Sequence, residues 1–159
     1  MNTTDRILGE ASADKWSSRV IQDPWAALYY ATQLIKGRFP EGEAAIATDP
    51  IASYKYATEV IKGRFPEGEA AIATSPGCAA YAVDYAINVI KGRWPEAEEA
   101  IAKNPSVAHR YAKYVLKGRF PEAEPAIATD PEWAKEYLKA FPQAKLEWAM
   151  NGWLDWLDL

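Results

Sequence analysis

The chain repeats itself, and that constrains its fold more than any other feature. Lys36-Gly37-Arg38-Phe39-Pro40 returns at Lys62-Gly63-Arg64-Phe65-Pro66, at Lys91-Gly92-Arg93-Trp94-Pro95 and at Lys117-Gly118-Arg119-Phe120-Pro121. The aromatic residues are spaced 26, 29 and 26 apart, and a shorter step of 21 reaches Phe141-Pro142. A period of this length marks small supersecondary units that bury their apolar faces only by stacking on one another.

Each unit reads as two helices. The first starts at the proline, as in Pro40-Glu41-Gly42-Glu43-Ala44-Ala45-Ile46-Ala47. Proline suits the first helical position, where its missing N–H would have no partner in any case. The glutamates behind it face the positive end of the helix dipole. Small residues surround one large apolar position, held by Ile46, Ile72, Ile101, Ile127 and finally Trp148. That composition predicts a short helix packed close to its neighbours.

Asp23-Pro24, Asp49-Pro50, Ser75-Pro76, Asn104-Pro105 and Asp130-Pro131 then announce the second helix, a capping residue followed by proline. The third copy carries three extra residues after Pro76, and the last lacks five at its end. At about 100° per residue, one face collects Ala27, Tyr30, Ala31, Leu34 and Ile35 with their counterparts, for example Ala108, Tyr111, Ala112, Val115 and Leu116. The face covers roughly 140° and is predicted to be buried, with the tyrosines on its edge. Lysine then glycine ends the helix, and the glycine is the expected left-handed residue.

These features predict an all-α chain, an α-solenoid of about five stacked helix-turn-helix repeats of ~26 residues. The whole of 1–159 reads as one domain. Residues 1–22, with Trp16, Val20 and Ile21, form an N-terminal cap; 23–142 hold the repeats; 143–159 form a tryptophan-rich C-terminal cap.

The unit resembles a short helical repeat, roughly KGRWPEAEPAIAxDPxxAYxYAxxVI, of bacteriophage and large-DNA-virus proteins. Residues 22–142 carry the likeness, with Glu122-Ala123-Glu124-Pro125-Ala126-Ile127-Ala128 its closest copy. The insertion at 77–79 and the tail depart from it. The resemblance implies a helical repeat fold and a viral origin, and it attaches no catalytic residues.

Composition narrows the function. With 18 Lys+Arg against 22 Asp+Glu and a net charge of −4, the chain is not expected to bind nucleic acid or anionic membranes generally. A single cysteine (Cys78) excludes an intrachain disulfide, and a single histidine (His109) excludes paired-His metal sites. No phosphate loop, GxSxG or HExxH occurs. The expectation is therefore a protein that is not an enzyme, with no metal and no cofactor. The start lacks a signal-peptide pattern and no apolar run reaches membrane-spanning length, which predicts a cytoplasmic location, the host cytoplasm if the chain is viral.

Candidate sites follow from what repeats and what does not. The Lys-Gly-Arg stripe beside aromatics suggests nucleic acid, but each Lys-Gly-Arg-Phe-Pro-Glu-Gly-Glu block carries +2 and −2. Pairing of those charges in a ladder between repeats is the favoured reading. His109 reads as a surface or boundary residue, Cys78 as inert, and Glu96, Glu98 and Glu99 as complements to the helix dipole. The outer stripe of the second helices diverges between copies: Tyr29 and Gln33, Lys55 and Glu59, Asp84 and Asn88, Arg110 and Tyr114. With Trp153 and Trp156 of the tail, these are the candidate partner-binding residues. The tail aromatics either cover the last repeat or form a homodimer contact.

The leading functional expectation is a protein–protein interaction module; a viral origin would make it an inhibitor of a host protein, such as a defence component. The alternatives are a protein that sequesters a small ligand such as a nucleotide signal and, behind it, an acidic DNA mimic.

Overall fold

The computed structural model of the protein describes residues 18–155. The expectations for Trp16, Trp156 and Leu157 lie outside the described residues. Among those described there is no strand, and the chain is all-helical.

Two compact units divide the chain, Met1–Ala71 and Ile72–Leu159. In the first, α1 (Pro24–Tyr29), α2 (Pro40–Ile46) and α3 (Pro50–Lys55) pack together, and the boundary between the units falls within α4 (Pro66–Thr74). The second unit contains α5 (Ala79–Tyr85), α6 (Pro95–Ala102), α7 (Pro105–Tyr111), α8 (Glu124–Ile127), α9 (Pro131–Ala140) and α10 (Lys145–Met150). Within it α5 packs on α6 and α7, and α7 packs on α6, α8 and α9.

Four of the second helices start as their sequences dictate, whereas Ser75 makes no capping bond and the helix of its copy begins only at Ala79. Asp23 Oδ1 accepts from Ala26 N–H at 2.7 Å, Asp49 Oδ1 from Ile51 and Ala52, Asn104 Oδ1 from Val107, and Asp130 Oδ1 from Glu132 and Trp133. These bonds satisfy N–H groups that the first turn leaves open. The insertion in the third copy is taken up by a 3₁₀ turn, Pro76–Cys78, ahead of α5.

Their ends differ from expectation. After α1, α3, α5 and α7 the helix widens into a π turn: Tyr30–Ile35, Tyr56–Ile61, Ala86–Ile90 and Ala112–Leu116. In each, one alanine carbonyl accepts both the lysine N–H and the glycine N–H, as Ala57 does from Lys62 and Gly63. The left-handed residue is the lysine: Lys36, Lys62, Lys91 and Lys117 have φ from 51° to 58°, and none of the following glycines has positive φ. Closing the wider ring requires the chain to reverse one residue earlier than an ordinary glycine cap would.

The π turn also narrows the buried face. Ala27, Ala31, Ala108 and Ala112 are fully buried, but Leu34 and Ile35 are exposed, and Val60, Ile61, Val89, Ile90, Val115 and Leu116 are only half-buried. Bonding from i to i+5 swings these residues off the 3.6-residue phase that placed them inside. Tyr30 is half-buried, as an edge position should be, but the other four tyrosines of the set move the other way. Tyr56, Tyr85, Tyr111 and Tyr137 are fully buried and not at an edge.

A proline shortens one helix. In the fourth copy Pro121–Ala123 form a turn and α8 starts only at Glu124, with Pro125 in its first turn. Pro125 has no N–H to give and its ring would strike the carbonyl four residues back, so a helix cannot run through it from Pro121.

Candidate functional site

The Arg-aromatic-Pro-Glu segments are structural nodes. The residue before each proline is extended, Phe39 at φ −126° and ψ 79°, so its buried N–H has no helical partner. A tyrosine 17 residues on supplies one: Phe39 N–H donates to Tyr56 Oη at 2.8 Å, Trp94 to Tyr111 at 2.7 Å, and Phe120 to Tyr137 at 2.7 Å. Each hydroxyl then donates to a glutamate, Tyr56 to Glu43, Tyr111 to Glu98 and Tyr137 to Glu124.

Arginine completes the node. Arg38, Arg64, Arg93 and Arg119 each grip the glutamate five residues on through Nε and Nη2. The charge pairing expected between repeats is thus mostly made inside each repeat. Arg119 also reaches forward, to Glu147, and Trp148 Nε1 donates to Glu124 at 2.9 Å. Two of the three glutamates in the 96–99 cluster are engaged, Glu98 with Arg93 and Glu99 with Lys103.

These contacts set the titration of the nodes. Bonds from Arg38 and Arg93 hold Glu43 and Glu98 below the usual carboxylate range. Burial alone would raise Glu124, but Arg119, Trp148 and Tyr137 outweigh it and lower that carboxyl too. Burial pushes Tyr56 up to about 12, and raises Tyr111 and Tyr137 further. The nodes cement the fold and leave the arginine forks occupied.

A concave feature lies on α7 and its π turn. Ser106, His109, Arg110, Lys113 and Tyr114 recur at helical spacing along one face and line an open groove of about 520 Å³, completed by Val107, Ala80 of α5 and Trp133 of α9. His109 corrects the sequence reading: it is buried and its ring lies 5.5 Å from that of Trp133, tilted by 38°. Burial and then the nearby Lys113 lower its pKa below the ordinary imidazole value, against a smaller opposing pull from Glu136. Ser106 donates to Asn104 Oδ1 at 2.9 Å and not to the imidazole, so no base activates it as a nucleophile.

The candidate partner-binding residues are placed as follows. Tyr29, Gln33, Glu59, Asn88 and Tyr114 are exposed, and Lys55 pairs with Glu59 at 3.6 Å. Asp84 and Arg110, on α5 and α7, form an ion pair. Arg110 and Tyr114 both line the groove, whereas Trp153 packs on Trp148, with ring centroids 5.8 Å apart. Trp156 is outside the described residues.

The sequence reading omitted His109 and Trp133 from the site. A cue was present, since Trp133 stands where other copies have Ala26, Ala52, Tyr81 and Val107.

Among the described residues no group of three His, Cys, Asp or Glu side chains could hold a metal ion, and no helix is long and apolar enough to cross a membrane. Compared with known proteins, the chain matches no family model, no curated protein and no solved structure.

Proposed function

We propose that the protein is a non-enzymatic protein–protein interaction module, a short α-solenoid whose second helices present copy-specific side chains to a partner. The observation that carries this reading is the split between what recurs and what does not. The nodes repeat almost atom for atom, while the groove is built from residues peculiar to one copy. His109 replaces Leu28, Tyr54 and Val83, and Tyr114 replaces Gln33, Glu59 and Asn88. A rigid frame that holds irregular side chains suits recognition of one irregular surface.

The likeness of the repeat to those of phage and large-DNA-virus proteins extends the proposal to inhibition of a host protein. Nucleic acid is a poor partner on this reading, because the arginines beside the aromatics are already bound to glutamate.

A photo-crosslinking residue at position 114, compared with one at the exposed Glu122, tests the proposal in lysate of a candidate host. A discrete crosslinked protein at 114 and none at 122 is expected. Equal, diffuse labelling at both positions overturns the assignment.

A further inference from the structure

The groove on α7 has a charge character opposite to that of the chain. The protein is acidic overall, yet no carboxylate lines the groove, while Arg110 and Lys113 do. The rest of its wall is mainly ring and aliphatic surface, chiefly Trp133, Tyr114 and His109.

Arg110 is tethered to Asp84 through Nη2, which fixes the guanidinium while Nε and Nη1 remain as donors. The Lys113 ammonium is exposed and lies 5.4 Å from the Tyr114 ring centroid. A volume of about 520 Å³ falls in the range of small-ligand sites. A ligand that satisfies all of these has a flat face to stack on the rings and an anionic edge to meet the cations.

We infer that the α7 groove is a binding site for an aromatic anion, a planar ring bearing a phosphate or carboxylate. The inference rests on the reading of this chain as an interaction module and names the group that its groove receives. A cation would be repelled by the Lys113 ammonium, a neutral ring would leave Lys113 unanswered, and an inorganic anion would leave the rings uncovered. The pairing is particular to this step of the repeat. Where Lys113 is followed one copy later by Trp133, the other steps offer Thr32 with Ala52, Thr58 with Tyr81, and Ile87 with Val107. Such a group has two sources, a free aromatic phosphate such as a mononucleotide, whose phosphate is carried on the sugar beside the base, or an aromatic residue beside a carboxylate on a partner chain.

The test follows the indole N–H resonance of Trp133, assigned by its loss in Trp133→Phe, while the full chain is titrated with phenyl phosphate. Saturable shifts are expected, with phenol and inorganic phosphate each at least tenfold weaker. Lys113→Thr, which installs the residue native to two other copies, should weaken phenyl phosphate at least tenfold and leave the other resonances in place. AMP and the peptide Gly-Gly-Phe then separate the sources, the tighter of the two naming it. Phenyl phosphate binding no tighter than phenol, or binding indifferent to Lys113→Thr, overturns the inference. A negative titration with crosslinking at 114 intact rejects the aromatic anion alone; positive titration without crosslinking rejects the protein partner alone.

Discussion

Tyr137 and Glu124 are joined by a 2.8 Å hydrogen bond, phenol to carboxylate, while the same hydroxyl accepts the Phe120 N–H at 2.7 Å. One side chain thereby satisfies a backbone donor stranded before proline and a carboxylate that is buried. The node ties the helix that follows the proline to the next one, because Glu124 lies on the former and Tyr137 on the latter. Its recurrence at Tyr56–Glu43 and Tyr111–Glu98 makes it the connection most open to test.

Tyr111→Phe removes a hydroxyl and little else. The buried Trp94 N–H then has no acceptor and Glu98 loses a donor. A stranded buried donor costs about 1–3 kcal/mol, so urea unfolding should show a loss of that size. A neutral Tyr111→Phe would mean that water reaches the Trp94 N–H.

The helix ends make a second claim. Lys62 carries positive φ and Gly63 does not, so Lys62→Gly should be more stable than Lys62→Ala by roughly 1 kcal/mol. Both variants lose the same charge, which removes the helix-dipole effect from the comparison. Gly63→Ala should be nearly neutral, since a Cβ there meets only Ile61 Cγ2, at 3.9 Å. Thermal melts of the three variants decide it.

Stability should form a plateau in pH with two edges. Glu43, Glu98 and Glu124 have lowered pKa values in the folded chain. Their contribution is present above the unfolded carboxylate value and lost as pH falls through the folded one. Tyr56, Tyr111 and Tyr137 have raised values. Theirs is present below the unfolded value of 10.0 and lost as pH rises, through about 12 for Tyr56. The melting temperature should therefore fall below about pH 4.5 and above about pH 10, and Tyr111→Phe should soften the alkaline edge.

The tail gives the largest expected effect. Trp148 is fully buried and stacked on Tyr137, with centroids 5.5 Å apart and planes 10° from parallel. Trp148→Ala should cost about 3–5 kcal/mol. Removal of residues 148–159 should lower the melting temperature of a dilute monomer, as a covering element requires. A truncated chain that sediments as an undestabilised monomer, from a parent that sediments as a dimer, would assign the tail to a homodimer contact instead.

The sequence by itself determined the helices, their starts and most of their inner faces. Proline after Asp or Asn, the glutamates behind the proline that starts the first helix of each unit, and alanine at positions 27, 31, 108 and 112 act through local geometry and burial, which a linear pattern records. Trp148 was legible in the same way, as the large residue at the place of Ile46 and Ile127. Only the tertiary structure decided how the helices end and what their polar groups meet. The π turns shift the phase by which Leu34 and Ile35 were assigned inside, and the left-handed strain falls on lysine because of a two-donor carbonyl that no residue pattern announces. The bond between Phe120 N–H and Tyr137 spans 17 residues, and the His109–Trp133 contact spans 24. Such pairs depend on how neighbouring helices pack side by side, and the sequence of either helix alone does not contain that information.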